Sequence, residues 1–187
     1  MRQLKKMFKS LITAVAFTKN LRTTGAFYET SKYVVNKISK FVLNTHAQTI
    51  IEYGAGHGNI TRGILFKMHP NSRLYAFEIN KQFCETLKEI EDDRLIIINA
   101  SANDVDQHLL ESNSVDCIVS SLPFTFITNN DKKQILAKSH NLLKKGHHMT
   151  QVLYSSMHLK FFSLFFVECK SNITMNFPPA YIYECRK

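Results

Sequence analysis

The sequence lacks three features that would each point to a particular class of protein. No apolar run approaches the ~18 to 20 residues needed to span a bilayer, since the longest largely apolar stretch covers only Phe161 to Val167. No internal repeat or low-complexity tract is present, which argues against a solenoid or a disordered chain. The four cysteines lie far apart, without the close pairs of a zinc or redox motif. These absences favour a reduced protein that is soluble or lies on a membrane surface.

What is present is a basic chain of single-domain length. The 187 residues are 44% apolar, enough for one compact core. Lys and Arg number 24 against 15 acidic residues, which gives a net charge of +9. Such a charge favours an anionic partner, either a nucleic acid or a membrane surface, and does not choose between them.

The first residues predict a basic amphipathic helix. Apolar residues recur at helical spacing at Leu4, Met7, Phe8, Leu11, Ile12 and Val15, with lysines on the other sides. Such a helix either lies in a lipid headgroup layer or packs on its own domain. A signal peptide is the less favoured interpretation of the same segment. We therefore predict a single domain over residues 1–187, with residues 1–45 as a helical, membrane-contacting cover.

Beyond residue 48 the pattern alternates between short apolar runs and helix-like segments. Strands are predicted at 49–53, 73–78, 95–99, 115–120 and 148–154. Helices are predicted between them at 59–68, 80–90, 102–111 and 131–143. Apolar strands separated by helices predict a mostly parallel sheet with helices on both faces. The carboxyl-terminal residues predict two further strands that meet antiparallel.

A glycine loop follows the first predicted strand in the sequence IIEYGAGHGNITRGI. Glycine allows both a tight turn and a close approach of backbone to ligand, and ligands bind beyond the carboxyl ends of parallel strands. The loop departs from the G-x-G-x-x-G pattern of dinucleotide sites, because Asn59 stands where the third glycine would be. Glu78 ends the second strand, where a carboxylate can accept hydrogen bonds from ribose hydroxyls. Adenosine without a pyrophosphate is the expected ligand.

IEYGAGHG together with Glu78 resembles the nucleoside-binding motifs of class I S-adenosylmethionine-dependent methyltransferases. TTGAFYETSKYVVNKI, AFEINKQFCETL, SSLPF and NFPPAYIYECRK narrow the likeness to bacterial phospholipid N-methyltransferases, which convert phosphatidylethanolamine towards phosphatidylcholine. The resemblance implies a Rossmann-like α/β fold, a seven-stranded and mostly parallel sheet whose last strand is antiparallel, and S-adenosylmethionine as cofactor. S-adenosylhomocysteine would be the product.

The resemblance also implies roles for particular residues. The expected cofactor-binding residues are Thr24, Gly25, Glu52, Gly54, Ala55, Gly56, Gly58, Asn59, Glu78, Ile79, Ser101, Ala102, Ser120 and Leu122. The expected substrate-placing and catalytic residues are Tyr28, Ser121, Pro123, Phe124 and Tyr154. Ser101 stands where relatives usually have an aspartate that contacts the adenine amine, so that hydrogen bond is expected either to be weakened or to be made by Asn99 or Asn103 in its place. Glu29 replaces a common proline.

Methyl transfer to an amine requires alignment of nitrogen, methyl carbon and sulfur, and a neutral nitrogen. A partly dry site favours the neutral amine. Aromatic faces suit the methylated cation, and Phe124, Tyr154 and Tyr183 are candidates for such walls. No metal site is predicted, and His147, His148 and the lysine pairs 132–133 and 144–145 are expected to be solvated surface groups.

Two alternatives remain open beside lipid methylation. An rRNA adenine N6-methyltransferase would fit the net charge and the SSLPF motif, although Ser120 stands where Asn or Asp usually holds the adenine. A membrane protein that binds the cofactor but turns over weakly would fit the departures at Ser101 and Glu29. The expected partners are a phospholipid headgroup and an anionic membrane surface, a nucleic acid is less favoured, and no obligate protein partner is inferred. The expected location is the cytoplasm, peripheral on the inner face of the cytoplasmic membrane.

Overall fold

The structure is a computed structural model that describes residues 30–108, 111–176 and 178–187. Its α-helices are α1 (Lys32–Ile38), α2 (Asn59–Lys67), α3 (Lys81–Lys88), α4 (Asn129–Leu142) and α5 (Leu159–Phe162). Its strands are β1 (Thr49–Tyr53), β2 (Arg73–Phe77), β3 (Leu95–Ile98), β4 (Val115–Ser120), β5 (Leu143–Leu153), β6 (Glu168–Thr174) and β7 (Ala180–Arg186). Two 3₁₀ helices cover Ala102–Gln107 and Phe124–Phe126.

The strands form one 7-stranded sheet in the order β3-β2-β1-β4-β5-β7-β6. Neighbouring strands from β3 to β5 are parallel, and β7 runs antiparallel to both β5 and β6. The order reverses direction between β1 and β4, which is the position where ligands of open α/β sheets bind. The predicted fold is confirmed: a Rossmann-like, mostly parallel sheet with an antiparallel last strand.

Helices cover both faces of the sheet, because consecutive residues of β1 contribute to different clusters. Ile50 packs with the side chains of α1 and α2, such as Ile38 and Ile64. Ile51 points to the opposite face and packs with the cluster that contains Leu136 of α4. A strand that is buried on both faces needs apolar residues at successive positions, which is why TIIEY carried so clear a signal.

Helix α1 packs closely on α2 because Gly63 has no side chain. A Cβ atom at Gly63 would lie 2.2 Å from Cγ1 of Val35. Ser31 caps α1 by accepting a hydrogen bond from the Val34 amide, and its hydroxyl donates to the Met175 carbonyl at the end of β6. The start of α1 is therefore fixed to the same edge of the sheet as the carboxyl ends of β4 and β5.

Two element predictions are wrong. Residues 102–107 form a 3₁₀ helix in place of an α-helix reaching 111. Strand β5 begins at Leu143, five residues before its predicted start, so Lys144 and Lys145 lie in a strand and not at a helix end. The strand continues through these polar residues because the Lys144 ammonium pairs with the Asp116 carboxylate at 2.6 Å.

The two histidines predicted to be solvated surface groups also have specific partners. The His147 ring nitrogen Nδ1 is hydrogen-bonded to the Asp116 carbonyl at 2.8 Å, and the His148 ring stacks on Phe41 with 3.8 Å between centroids. In the part of the chain that the structure describes, no helix is long and apolar enough to cross a bilayer. No cluster of three metal-binding side chains occurs there either.

Candidate cofactor and acceptor site

The glycine loop leaves β1 and turns into α2 through three residues with positive φ. Gly54, Gly56 and Gly58 have φ values of +75°, +54° and +84°, a region that L-residues with side chains rarely adopt. The Gly54 and Ala55 amides both donate to the Phe77 carbonyl at the end of β2, at 2.8 and 3.3 Å. These bonds hold the loop across the carboxyl ends of β1 and β2.

The three glycines differ in what surrounds them. A Cβ at Gly58 would lie 2.8 Å from Cδ1 of Ile90, and one at Gly54 would lie 3.3 Å from Oγ of Ser121. Nothing lies within 4 Å of a Cβ at Gly56. A Cβ at Gly58 or Gly54 would thus require a neighbouring side chain to shift, whereas Gly56 exposes bare backbone to open space, as the cradle of a closely bound ligand requires.

Glu78 follows β2 and is 7% exposed. Its Oε2 accepts the Gly56 amide at 2.9 Å, and its Oε1 accepts the Asn80 amide at 2.8 Å. Each carboxylate oxygen has further acceptor capacity, so two ribose hydroxyls can still donate to it. The sequence predicted the ribose role alone, and the structure adds that Glu78 also fixes the conformation of the loop.

Glu52 lies in β1, 1% exposed, beneath the same loop. Its Oε2 accepts from the Thr61 hydroxyl at 2.7 Å, and its Oε1 has no hydrogen-bond partner within the described residues. Burial raises the pKa of this carboxyl from 4.5 to about 8, and the charge of Glu78 adds to the effect. A buried acceptor with no donor fits the ammonium of a methionine moiety, which would supply both a donor and a positive charge.

The adenine side of the predicted site carries one spare acceptor. The Ser101 hydroxyl accepts the Asn103 amide and caps the 3₁₀ helix, in which the adjoining Ala102 is buried, and its own O–H has no acceptor among the described residues. Asn99 donates its side-chain amide to the Glu78 carbonyl at 2.8 Å. Oδ1 of Asn103 is buried without a partner in the described chain. Of the two predicted substitutes, Asn103 therefore has the free acceptor for the adenine amine, and Ile79, 40% exposed, offers an apolar surface.

The end of β4 joins the glycine loop to β5. The Ser121 hydroxyl donates to the Gly54 carbonyl at 2.6 Å, and the Gln151 side chain donates to the Leu122 carbonyl at 2.9 Å. Ser120 is fully buried at the last position of β4, and Pro123 precedes the 3₁₀ helix Phe124–Phe126. The SSLPF residues are thus brought beside the cradle, as the resemblance implied. Sequence reasoning missed Thr61 and Gln151, for which helical spacing and strand position gave no distinctive signal.

Phe124 and Tyr183 do not form walls of an open site, so this expectation is corrected. Both rings are fully buried, and Phe162 of α5 stacks between them with centroid distances of 5.3 and 5.1 Å. Their aromatic area is used to pack α5 on the sheet. Tyr154 is 56% exposed just after β5 and remains available to an acceptor. Thr24, Gly25, Tyr28, Glu29 and the amphipathic segment lie outside the described residues.

Exposed apolar side chains lie near the carboxyl ends of the strands, on the same side of the sheet as the glycine loop. We call them the apolar rim. The rim consists of Tyr33, Phe126, Tyr154, Met157, Ile173 and Met175. Residues Leu153 and Ile173 share the partner Tyr181 of β7, which places the end of β6 level with the end of β5. A groove of about 660 Å³ opens between α1 and this end of β6, lined mostly by apolar atoms and by Lys37.

Comparisons with known proteins agree with this geometry. A family model described as Methyltransferase domain matches residues 50–146, from β1 into the start of β5. An uncharacterized methyltransferase of Geobacillus is 30% identical over 109 residues, which are 56% of this chain and 48% of that protein. An ornithine lipid N-methyltransferase of Singulisphaera acidiphila is 26% identical over 147 residues, 75% of this chain and 77% of that protein. The chain spans about half the length of the Geobacillus relative.

Solved structures share the fold at low identity. A SAM-dependent methyltransferase from Aquifex aeolicus superposes with a TM-score of 0.67 at 11% identity, covering 89% of this chain and 96% of that one. An rRNA methylase from Streptococcus thermophilus gives 0.60 at 13% identity, covering 81% and 93%. At such low sequence identity the likeness shows the fold alone. It does not identify the methyl acceptor.

Proposed function

The chain belongs to the Methyltransferase domain family, whose cofactor is S-adenosylmethionine, and from this premise we propose that it methylates the amine of a phospholipid headgroup. The expected acceptor is phosphatidylethanolamine, converted towards phosphatidylcholine at a membrane surface. The observation that carries the proposal is the apolar rim, which lies at the same edge of the sheet as the glycine cradle. An amine anchored in a membrane would meet the cofactor there.

The cofactor supplies an electrophilic methyl group, and the chain's residues hold and align it. Gly56 would leave space for the cofactor, Glu78 would accept from its ribose, Glu52 would lie opposite its ammonium and Asn103 would accept from its adenine. Residues 121–123 would line the place where the methyl group leaves. Because the transfer is an in-line displacement, this alignment is the chief contribution that the protein makes.

Three features favour a lipid over other amines. Large exposed apolar side chains are costly in water and are typical of interaction surfaces. The net charge of +9 attracts an anionic leaflet. Of the two sequence relatives described above, the one that covers more of this chain is an ornithine lipid N-methyltransferase. A lipid amine is therefore the acceptor that the rim, the charge and this relative support together.

The direct test supplies labelled S-adenosylmethionine together with either phosphatidylethanolamine liposomes or ribosomal RNA. We expect label in the lipid extract and none in RNA. Separation of mono-, di- and trimethylated products then counts the transfers. Label in RNA alone would overturn the proposal, and cofactor binding without transfer to either acceptor would favour a protein that has lost turnover.

Ribosomal RNA is the second candidate acceptor. The SSLPF segment lies beside the cradle, where an extruded base would have to reach the methyl group. Ser120 argues against an RNA acceptor. It is fully buried, its hydroxyl accepts a hydrogen bond from the Leu122 amide, and a serine has no side-chain amide or carboxylate for an adenine amine. The labelling experiment separates the two acceptors, because the label is recovered either in the lipid extract or in the RNA.

A further inference from the structure

Cys169 and Cys185 lie directly opposite each other in the antiparallel pair formed by β6 and β7. Both thiols are free, Cys185 is 1% exposed and Cys169 is partly buried. Side chains of directly opposite residues lie on the same face of a sheet and contact each other. Because the two cysteines are far apart along the chain, their spacing does not connect them, and only the register of the two strands does.

Backbone hydrogen bonds show which neighbouring strand the main chain of Cys185 faces. The Lys187 amide donates to the His147 carbonyl of β5 at 3.0 Å. The carbonyl of Arg186, one residue earlier, accepts from the Val167 amide just before β6, also at 3.0 Å. The N–H and C=O groups of successive strand residues point to opposite neighbours. Cys185, like Lys187, therefore directs its backbone groups towards β5 and not towards β6.

Cys169 and Cys185 are consequently a non-hydrogen-bonded pair of the β6–β7 ladder. In such pairs the Cα atoms are about 4.5 Å apart, and the side chains are closer than in hydrogen-bonded pairs. This separation lies within the range of about 4.4–6.8 Å between Cα atoms that a disulfide spans. The two sulfur atoms can thus be joined without a change in the register of the strands.

The two thiols differ in their surroundings and therefore in their reactivity. A hydrogen bond with the Cys185 thiol lowers the pKa of Cys169, burial opposes this, and a hydrogen bond with Ser163 lowers the pKa further. The hydrogen bond with Cys169, together with burial, raises the pKa of Cys185. The thiolate is the nucleophilic form of cysteine. Cys169, which solvent reaches, is thus suited to attack first, and Cys185 is suited to resolve the product.

We propose that Cys169 and Cys185 form a modification site that hydrogen peroxide oxidises to a cross-strand disulfide. Cys169 sulfur attacks one peroxide oxygen, the O–O bond breaks, and a sulfenic acid and one water result. Cys185 sulfur then displaces the hydroxyl from the sulfenic acid, so that an S–S bond forms and a second water leaves. Two thiols are oxidised and one peroxide is reduced, and a dithiol reverses the step by exchange. This site does not rest on the proposed methyl acceptor.

The disulfide would close the hairpin that carries part of the apolar rim. Ile173 and Met175 of the rim lie between the two cysteines along the chain. A disulfide that closes a loop of about 15 residues stabilises the fold mainly by restricting the unfolded chain, so the unfolding temperature should rise by about 6–12 °C. Cys169 lies near the start of β6, at the edge of the sheet opposite the glycine cradle. Binding of S-adenosylhomocysteine should therefore not change.

The test treats the reduced protein with a small excess of hydrogen peroxide and maps its peptides by mass spectrometry without reduction. We expect one crosslink, between the peptides of Cys169 and Cys185, lighter by two hydrogen atoms than the reduced pair and separated again by dithiothreitol. Cys117 is the internal control and should stay reduced, because it is buried in β4 and burial raises its pKa to about 12. Absence of this crosslink, or a crosslink to Cys84 or Cys117 in its place, would overturn the proposal.

Variants and unfolding measurements test the order of attack and the fit of the bond. In Cys185→Ala, peroxide should leave a sulfenic acid at Cys169 that dimedone labels, and Cys169→Ala should take up at least tenfold less label. Equal labelling would overturn the role of Cys169 as the attacking sulfur. The matched control Cys117→Ala should show the same rise in unfolding temperature on oxidation as the wild type. An unchanged or lower unfolding temperature of the crosslinked wild type would show that the strands do not accommodate the bond, and would overturn the site whether or not the variants fold.

Discussion

Strands β1 to β3 and strands β5 to β7 lie on opposite sides of β4, and they present different atoms at the same edge of the sheet. The first group, the cofactor half, offers backbone: three glycines with positive φ, held by the Phe77 carbonyl and Glu78. The second group, the acceptor half, offers side chains, namely most of the apolar rim. Backbone geometry suits a fixed cofactor, whereas side chains can be exchanged to suit different acceptors.

The largest effect is expected from a substitution in the cofactor half. Glu78→Ala should weaken binding of S-adenosylhomocysteine by about 100-fold, because it removes the ribose acceptor and releases the Gly56 and Asn80 amides. It should also lower stability by about 1–3 kcal/mol, since those amides are partly buried. Calorimetry and thermal unfolding measure the two effects. Liposome binding serves as the control and should not change, and a loss there would mean that the halves are not independent.

The second test uses the buried carboxyl of Glu52. Its pKa is raised from 4.5 to about 8 in the folded protein, so the folded state holds this proton more tightly than the unfolded chain. Its contribution to stability is present below pH 4.5 and is lost as the pH rises towards 8. Glu52→Gln should remove a slope of up to about 1.4 kcal/mol per pH unit.

Urea unfolding of the ligand-free protein at several pH values between these limits measures the slope. Glu85→Gln is the matched control, because Glu85 is an exposed acid of α3 that forms a surface ion pair with Lys88. If wild type and Glu52→Gln showed identical pH profiles, the pKa of Glu52 would not be raised by folding.

The third test separates packing glycines from the ligand-facing glycine. Gly58→Ala should lower stability by about 1–2 kcal/mol through left-handed strain, with further loss from the contact with Ile90. Gly56→Ala has similar strain but open space around its methyl group. For a given loss of stability, Gly56→Ala should therefore weaken cofactor binding more than Gly58→Ala does. The opposite ranking in calorimetry and thermal unfolding would contradict the cradle.

The smallest effect is expected in the acceptor half. Ile173→Glu in the apolar rim should reduce sedimentation with anionic liposomes about three- to tenfold, because it introduces negative charge into the surface that we propose to face the lipid. Val167→Glu is the matched control, since Val167 is 88% exposed and is bonded to Arg186 at the other edge of the sheet. Equal loss in both variants would mean that net charge, and not the rim, recruits the protein.

The sequence predicted the cofactor half better than the acceptor half, and the reason is physical. Strands buried on both faces, such as TIIEY, leave an apolar run, and positive φ leaves glycine at Gly54, Gly56 and Gly58. The early start of β5 has no comparable signal in the sequence, because Lys144 is held in the strand by an ion pair with Asp116, which lies far from it along the chain. Lys132 and Lys133 look alike in sequence, and only the packing of α4 distinguishes Lys132, which is buried. Tertiary contacts of single polar residues therefore set the limit of sequence reasoning.

The strand order has a consequence for biosynthesis. Strand β7 lies between β5 and β6, so β6 has no partner in the sheet until Ala180–Arg186 is available. A nascent chain on the ribosome can pair β1 to β5 while β7 is still in the exit tunnel, but β6 must wait. The glycine cradle should thus be complete during translation before the part of the apolar rim that β6 carries.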